Sequence, residues 1–331
     1  MPTSNYLDTI QLDSAKLRRI DMHRHADLVE LNCLQSPDRE IPLEDSLDEQ
    51  LGGDEGVGGI YQHDSQSDLT ELNQAEKKDH ITLLHTDVQN HLNARVQLFG
   101  DSYPFEIERG YIRLKAAHDM KRKTYVFLLL AANVCYLSRE DIQQFTKDFE
   151  ITAAFALREF FPHWTCRIFG TASCENLEGY EGTPRKKIET FAQDVGLPLL
   201  IEEEELRRIE SSSGDAGLDV VAWYPFNDEA PHTPVFLAQV GCTKDEKAMF
   251  SKQYSAYPSR WERKLRGLSA IGCMVTPQCY RNARNEWPSP SDVNSVFVDR
   301  ARVLRLLAQS ADFRLESLKT YSMIESIFAG A

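Results

Sequence analysis

Several features that define other protein classes are missing from this 331-residue sequence. No segment near the amino terminus has the basic, apolar and small-residue succession of a signal peptide. The most apolar run, at 125–137, is interrupted by Asn133 and is too short to cross a bilayer. There is no P-loop and no dinucleotide-binding glycine fingerprint. We therefore expect a cytoplasmic protein without a membrane partner.

Cysteine and histidine spacing gives no metal framework. The seven cysteines are scattered and contain no Cys-x-x-Cys pair. An odd number of dispersed cysteines is typical of reduced thiols in a cytosol. Histidines recur at positions 23, 25, 80, 85 and 91, but their spacing matches no zinc motif, and packed or solvated histidines are the better interpretation.

Basic residues are outnumbered by acidic ones, 37 to 51, and the net charge is −14. Residues 1–110 contain 9 basic and 22 acidic side chains, whereas residues 251–331 contain 12 basic and 7 acidic ones. An acidic protein can still bind DNA if its cations cluster, because phosphates are neutralised locally. Alternatively, these cations form a solvated surface or pair with acids. The C-terminal candidates are Arg260, Arg263, Lys264, Arg266, Arg281, Arg284, Arg300, Arg302 and Arg305.

Charge and local patterns divide the chain into two regions. Residues 1–118 are expected to form an acidic α+β N-terminal region with a regulatory or interaction role. Within it, residues 36–78 are rich in Asp, Glu and Gly and are predicted to be flexible. We expect deletion of 36–78 to strengthen DNA binding at low salt. Residues 119–331 are predicted to form an α/β domain with a mixed central sheet between helices, and with an insertion at about 171–213.

The helices that lead into this domain have clear sequence signals. Residues 121–137 are apolar almost all round, which predicts a central packed helix. Ser138 and Asp141 have capping-box spacing and predict the start of a short helix. Thr146 is a candidate cap for a further helix that ends near position 161, before a strand at 164–169.

Two short apolar strands further along each contain a polar side chain. Asp219 lies in the run 218–223 and Gln239 in the run 234–240, with a turn-rich connection between them. This pattern predicts a β-hairpin. A buried carboxylate is costly unless a cation or hydrogen-bond donors compensate it. The two polar groups therefore indicate a metal site, although a core Gln can also be satisfied by hydrogen bonds alone.

The same stretch resembles the Mrr-like restriction endonucleases of the PD-(D/E)XK nuclease superfamily. Their first motif, Gly-Asp-x-Gly-[Ile/Leu/Val]-Asp, is matched by residues 214–219, and Gln239 matches the start of the second, Gln-x-Lys. Gly241 stands where that lysine belongs. The resemblance covers roughly the C-terminal two thirds. It implies a restriction-endonuclease-like core that binds Mg²⁺ or Mn²⁺ through Asp219, Gln239 and the carbonyl of Val240.

Four further residues are candidates for this site. Asp215 could hold a metal-bound water or a second ion, or it could satisfy its own turn. Glu150 shares a helix face with apolar residues, and in Mrr-like nucleases a Phe-Glu pair at this place often helps to organise metal or water; the alternative is a Glu that favours a helix start. In the superfamily a lysine on the next helix can replace the strand lysine. Lys247 and Lys252 are the candidates, although either could be an exposed helix lysine.

The resemblance implies a metal-dependent endonuclease that hydrolyses DNA, as the effector of a restriction or anti-phage defence system. Such proteins often work with a separate sensor or ATPase, and a homo-oligomer is possible. A second hypothesis is a nuclease fold that has lost catalysis and serves in DNA binding or complex assembly, which the missing lysine favours. A third is an RNase that uses the same site.

Overall fold

A computed structural model describes residues 6–10, 12, 22–51, 74–116, 119–202, 204, 207, 217–228, 233–242, 246–287 and 293–329. The helices that position the functional residues are α1 (Met22–Gln35), α2 (Leu43–Leu51), α3 (Gln74–Phe99), α4 (Met120–Ala132), α5 (Arg139–Phe160), α6 (Pro184–Asp194), α7 (Glu246–Lys252), α8 (Pro258–Glu262), α9 (Arg300–Leu307) and α10 (Tyr321–Ala329). The strands are β1 (Glu40–Pro42), β2 (Phe105–Glu108), β3 (Tyr111–Leu114), β4 (Thr165–Ile168), β5 (Val220–Trp223), β6 (Pro234–Val240), β7 (Ser269–Val275) and β8 (Val296–Val298).

The described strands form two sheets. The smaller is antiparallel, in the order β1-β3-β2. The larger has the order β4-β5-β6-β7-β8, in which β4, β5 and β6 are antiparallel neighbours and β7 and β8 run parallel to β6. The mixed sheet flanked by helices confirms the α/β class, and the predicted hairpin is β5 and β6.

Both faces of the larger sheet are covered. Side chains alternate between the faces of a strand, and Val220 and Val221 accordingly belong to two different apolar clusters. The first cluster includes α4 and α5, and the second includes α6 and the fully buried Trp261. Burial on both sides explains why β5 and β6 are almost continuously apolar.

Helix α5 is one continuous helix, whereas the sequence predicts two successive helices in this stretch. Ser138 caps it as expected, because its hydroxyl accepts a hydrogen bond from the Asp141 N–H. The helix then continues without a break to Phe160. Thr146 does not begin a second helix; its hydroxyl donates to the Ile142 carbonyl at 2.7 Å, a bond that satisfies the side chain inside the helix.

The segment 36–78 is more ordered than the sequence predicts at its start. Residues 40–42 form β1, and α2 buries Leu43 and Leu47. Leu43 and Leu47, four positions apart, lie on one face of this otherwise acidic helix and pack it against the main apolar core. Residues 52–73 lie outside the described residues, so their predicted flexibility stays a prediction. Removal of the whole segment 36–78 would also delete β1, α2 and the start of α3.

A buried charged network connects the first and last thirds of the chain. The Arg300 Nη2 lies 2.9 Å from the Asp27 Oδ2, and the Arg95 Nη1 lies 2.7 Å from the Asp27 Oδ1 and 2.7 Å from the Glu30 Oε1. The Tyr125 hydroxyl donates to the Glu30 Oε2 at 2.9 Å. All four charged side chains are at most 2% exposed. Buried charges require such partners.

The network also spans the predicted boundary at 118–119. One apolar core includes residues from α1, α3, α4, α5 and α9, so packing is continuous across that position. The regulatory role of residues 1–118 stays a prediction. None of the described helices combines the length and the apolar character needed to cross a membrane.

Candidate active site

Asp219 and Gln239 face each other at one end of the large sheet. Val220 pairs with Ala238, so the preceding Asp219 lies beside Gln239. The Gln239 Nε2 donates to the Asp219 Oδ2, and the Val240 N–H donates to the same oxygen at 2.6 Å. Asp219 is 4% exposed and Gln239 is 8% exposed. The predicted juxtaposition is therefore present, with the amide group of Gln239 acting as a donor to the carboxylate.

Glu150 and the other oxygen of Asp219 both lie close to Gly170, two residues after the end of β4. A Cβ built on Gly170 would lie 2.8 Å from the Glu150 Oε2 and 3.3 Å from the Asp219 Oδ1. The two carboxylate oxygens thus converge on one point that any side chain at position 170 would fill. The Ala172 N–H donates to the Glu150 Oε2 at 3.2 Å and helps to fix it.

Backbone contacts hold this strand end in place. The Asp219 carbonyl accepts hydrogen bonds from the Phe169 N–H at 2.7 Å and from the Gly170 N–H at 3.0 Å. From α6, the buried Lys187 donates through Nζ to the carbonyls of Phe169 at 2.9 Å and Gly170 at 2.6 Å. Lys187 therefore anchors the peptide against which the two carboxylates meet.

Lys252 lies over the position of the missing strand lysine. A Cβ on Gly241 would be 3.3 Å from the Lys252 Cδ and 2.8 Å from the Met274 Cε. The absence of a side chain at Gly241 thus leaves room for the stem of a lysine that comes from the end of α7. Lys252 is exposed, so its ammonium group can move over this end of the sheet.

The thiol of Cys242 lies among the same charges. Burial raises the pKa of this thiol, the ammonium group of Lys252 lowers it, and the carboxylates of Glu150 and Asp219 raise it further. The raised pKa keeps this buried thiol protonated and uncharged.

Two predicted site residues cannot be placed. Asp215 lies outside the described residues, and the side chain of Lys247 is likewise not described, although its backbone is in α7. Within the described part of the chain there is no group of three or more His, Cys, Asp or Glu side chains that could hold a metal ion. A metal at this site would use the two carboxylates of Asp219 and Glu150.

Hard oxygen ligands fit magnesium or manganese. Mg²⁺ is commonly held by one or two carboxylates, with waters and substrate phosphates completing its shell. The converging oxygens of Asp219 and Glu150 and the gap kept open by Gly170 match that requirement. Gln239 would need its amide oxygen turned toward the ion, because its nitrogen now faces Asp219. The Val240 carbonyl accepts a hydrogen bond from the same nitrogen at 3.3 Å.

A wide cleft opens beside the carboxylate pair. Its volume is about 880 Å³, and Gly170 and Lys187 form part of its wall. The insertion after β4 supplies most of the remaining lining, including the exposed carboxylates of Glu175, Glu178 and Glu181. Arg167 and Lys187 also line the cleft, and Arg167 pairs with Glu178 at 2.8 Å.

The C-terminal cations do not form a single binding surface. Arg300 is buried with Asp27, Lys264 is 8% exposed, and Arg281 pairs with Asp299 at 2.7 Å. The exposed members are Arg260, Arg263, Arg266, Arg284, Arg302 and Arg305. Among the nearby aromatics, Trp261 is fully buried and cannot stack on a base, whereas Tyr254 is 51% exposed.

Sequence patterns left two contributors to the site unassigned. Gly170 was visible only as the residue after a predicted strand, and nothing in the sequence placed it against Glu150. Lys187 belongs to a run of three basic residues that has the pattern of a solvated helix start. Its burial depends on the packing of α6 on the sheet, which local sequence does not encode.

Comparison of the chain with protein-family models, with curated proteins and with solved structures gives no match. The functional interpretation therefore depends on the local chemistry of the site. A proposed function has to explain two features at the end of the mixed sheet: the two converging carboxylates and the lysine stem beside them.

Proposed function

We propose that this protein is a metal-dependent endonuclease that hydrolyses DNA phosphodiester bonds. One observation carries the proposal: oxygens of Glu150 and Asp219 converge at Gly170, beside a strand end covered by Lys252. The resemblance to Mrr-like nucleases implies Asp219, Gln239 and a lysine at such a site, with Glu150 in a Phe-Glu pair that often helps to organise metal or water. The order of antiparallel β4, β5 and β6 followed by parallel β7 supports a restriction-endonuclease-like core.

Asp219 and Glu150 would hold Mg²⁺ or Mn²⁺, with the Val240 carbonyl near Asp219 as a further oxygen. When bound, the ion supplies charge neutralisation at the scissile phosphate and a more acidic water. The two donors on the Asp219 Oδ2 fix its carboxylate and leave the Oδ1 directed toward Gly170 and Glu150. Fixed ligands of this kind require little reorganisation during the reaction.

Lys252 would act on the phosphate. Its flexible stem passes over Gly241, so the ammonium group can stabilise negative charge that develops on the phosphate oxygens or orient the attacking water. A lysine on the end of a helix has more freedom than one within a strand. Substrate binding would therefore be needed to order the Lys252 side chain. This agrees with an effector that is inactive until it binds DNA.

A specific observation favours one alternative, a nuclease fold that has lost catalysis. The Gln239 amide donates to Asp219, so within the described geometry the carboxylate is already satisfied by protein donors. Such a protein would bind DNA or assemble with a sensor or ATPase partner without cutting. The RNase hypothesis uses the same residues and differs only in substrate.

The deciding experiment is cleavage of supercoiled plasmid, linear duplex, single-stranded DNA and RNA with Mg²⁺ or Mn²⁺. Wild type is compared with Asp219→Ala and Glu150→Gln, and with Glu140→Gln as a control, since Glu140 is an exposed residue of the same helix. We expect metal-dependent DNA cleavage that both site variants lose and the control retains. Cleavage of RNA alone would replace DNA as the substrate.

Absence of cleavage by wild type, with DNA binding intact, would favour the degenerate subunit. The assay would then be repeated with a candidate sensor or ATPase partner present. Cleavage that persists in Asp219→Ala would place the activity elsewhere and overturn the proposal.

A further inference from the structure

A second cavity lies between the end of α3 and helix α9. Its volume is about 440 Å³, and it shares no lining residue with the cleft beside Gly170. Cavities of a few hundred Å³ suit small-molecule ligands. The charged, polar and larger apolar side chains of its lining include Phe99, Ser102, Arg281, Arg302, Leu304 and Arg305.

Three arginines line this cavity and no acidic residue does. This is unusual in a chain with a net charge of −14. Arg281 is held by Asp299 through a 2.7 Å ion pair, and Arg302 donates through Nη1 to the Phe297 carbonyl. Arg305 is exposed to solvent. Because Asp299 neutralises one of the three charges, about two positive charges remain to attract an anion.

The rest of the wall combines an apolar surface with one hydroxyl. Phe99 and Leu304 are each 7% exposed and contribute the apolar part of the lining, while Ser102 can donate a hydrogen bond. Guanidinium groups match phosphate oxygens in geometry as well as charge. We propose that this cavity binds a small ligand with clustered phosphates, either a nucleotide or an inorganic polyphosphate. This proposal does not rest on the proposed nuclease activity.

The test measures binding of ATP, tripolyphosphate and adenosine to the full chain by calorimetry in a buffer with EDTA, which keeps divalent ions from the Asp219 site. The variants are Arg305→Glu and Arg302→Gln. Arg266→Glu is the matched control, because Arg266 is exposed and does not line the cavity. Asp219→Ala controls for binding at the candidate active site. Thermal unfolding checks that each variant folds.

We expect ATP and tripolyphosphate to bind, and adenosine to bind far more weakly. Arg305→Glu removes a charged hydrogen bond and adds a carboxylate that repels the phosphates, so it should weaken binding more than about tenfold. Arg302→Gln should weaken it too, whereas Arg266→Glu and Asp219→Ala should bind as wild type does. Tighter binding of ATP than of tripolyphosphate would identify a nucleotide ligand, and equal binding a polyphosphate.

Three outcomes would overturn the proposal. One is no binding of either phosphate compound at concentrations up to about 1 mM. Another is binding that folded Arg305→Glu and Arg302→Gln variants retain in full. The third is Arg305-dependent binding of duplex DNA without binding of ATP or tripolyphosphate, which would assign these arginines to a nucleic-acid backbone.

Discussion

The stem of Lys252 lies against Gly241, with its Cδ 3.3 Å from the point where a Cβ on that glycine would stand. One residue thus leaves the space that the other occupies. The pair explains how a strand without the motif lysine could keep a cation at the same place, and it makes the substitution of either residue informative.

Lys252→Ala is expected to lower the rate of DNA cleavage about 100-fold, because a group that stabilises developing charge is lost. The double variant Gly241→Lys/Lys252→Ala should recover part of that activity, since the new lysine enters the vacated space and displaces only the flexible end of Met274. Single-turnover cleavage at saturating metal measures both. Lys319→Ala, at an exposed position, is the control. Wild-type rates in Lys252→Ala would contradict the assignment.

Gly170→Ala is expected to separate the carboxylates without unfolding the protein. The added Cβ would lie 2.8 Å from the Glu150 Oε2, so the carboxylate must move, and small displacements in an active site can cost about 100-fold in rate. Stabilisation by Mn²⁺ in thermal unfolding should also disappear. Gly179→Ala is the matched control, because its nearest neighbour would be the Ile168 carbonyl at 3.4 Å. Equal cleavage and metal response in both variants would refute the role of Gly170.

Arg300→Met is expected to lower the free energy of unfolding by about 3–5 kcal/mol, because Asp27 would lose a buried partner. Urea unfolding followed by tryptophan fluorescence measures this change. Arg158→Met removes a cation paired with Asp312, which is 66% exposed, and should cost at most about 1 kcal/mol. The double variant Asp27→Asn/Arg300→Met should be less destabilised than the sum of the single variants. If Arg300→Met lowered the free energy of unfolding by less than Arg158→Met does, the buried network of Asp27, Glu30, Arg95 and Arg300 would not be stabilising.

Stability should fall as the pH falls from 7 to 5. Burial lowers the pKa of His23 to about 3, and burial followed by the charge of Arg95 lowers the pKa of His91 to about 3. Below their ordinary pKa of 6.5 the unfolded chain therefore binds protons that the folded protein excludes, and each histidine contributes a loss of up to about 1.4 kcal/mol per pH unit.

Urea unfolding at pH 7 and pH 5 measures this loss. The variant His23→Gln/His91→Gln should show a smaller difference between the two pH values. His163→Asn, at an exposed position, should retain the wild-type difference. A difference that is unchanged in the double variant would show that other groups cause it.

Much of the fold could be predicted from local patterns. Apolar, β-branched runs bounded by turn residues predicted β4, β5 and β6, and the Ser138 cap predicted the start of α5. Thr146 was misinterpreted because a threonine inside a helix can satisfy its hydroxyl on the preceding turn. The burial of α2 was missed, since two leucines give little signal within an acidic segment.

The site was predictable in its residue types but not in its geometry. The proximity of Asp219 and Gln239 follows from the pairing of β5 with β6, because the register of these strands places the two residues opposite each other. The approach of Glu150 to Asp219 depends on how α5 packs across the sheet, and the route of Lys252 depends on the unoccupied space at Gly241. Contacts of this kind are set by tertiary packing, which a single sequence does not specify.

The ion pair between Asp27 and Arg300 joins residues that are 273 positions apart in the sequence. During synthesis, α1 emerges with Asp27 and Glu30 long before the arginine of α9 is available. A product that ends before residue 300 would have to bury Asp27 without one of its guanidinium partners, which opposes stable folding. Stable folding around Asp27 would therefore depend on α9, and chains that terminate before α9 would be poor sources of a folded active site.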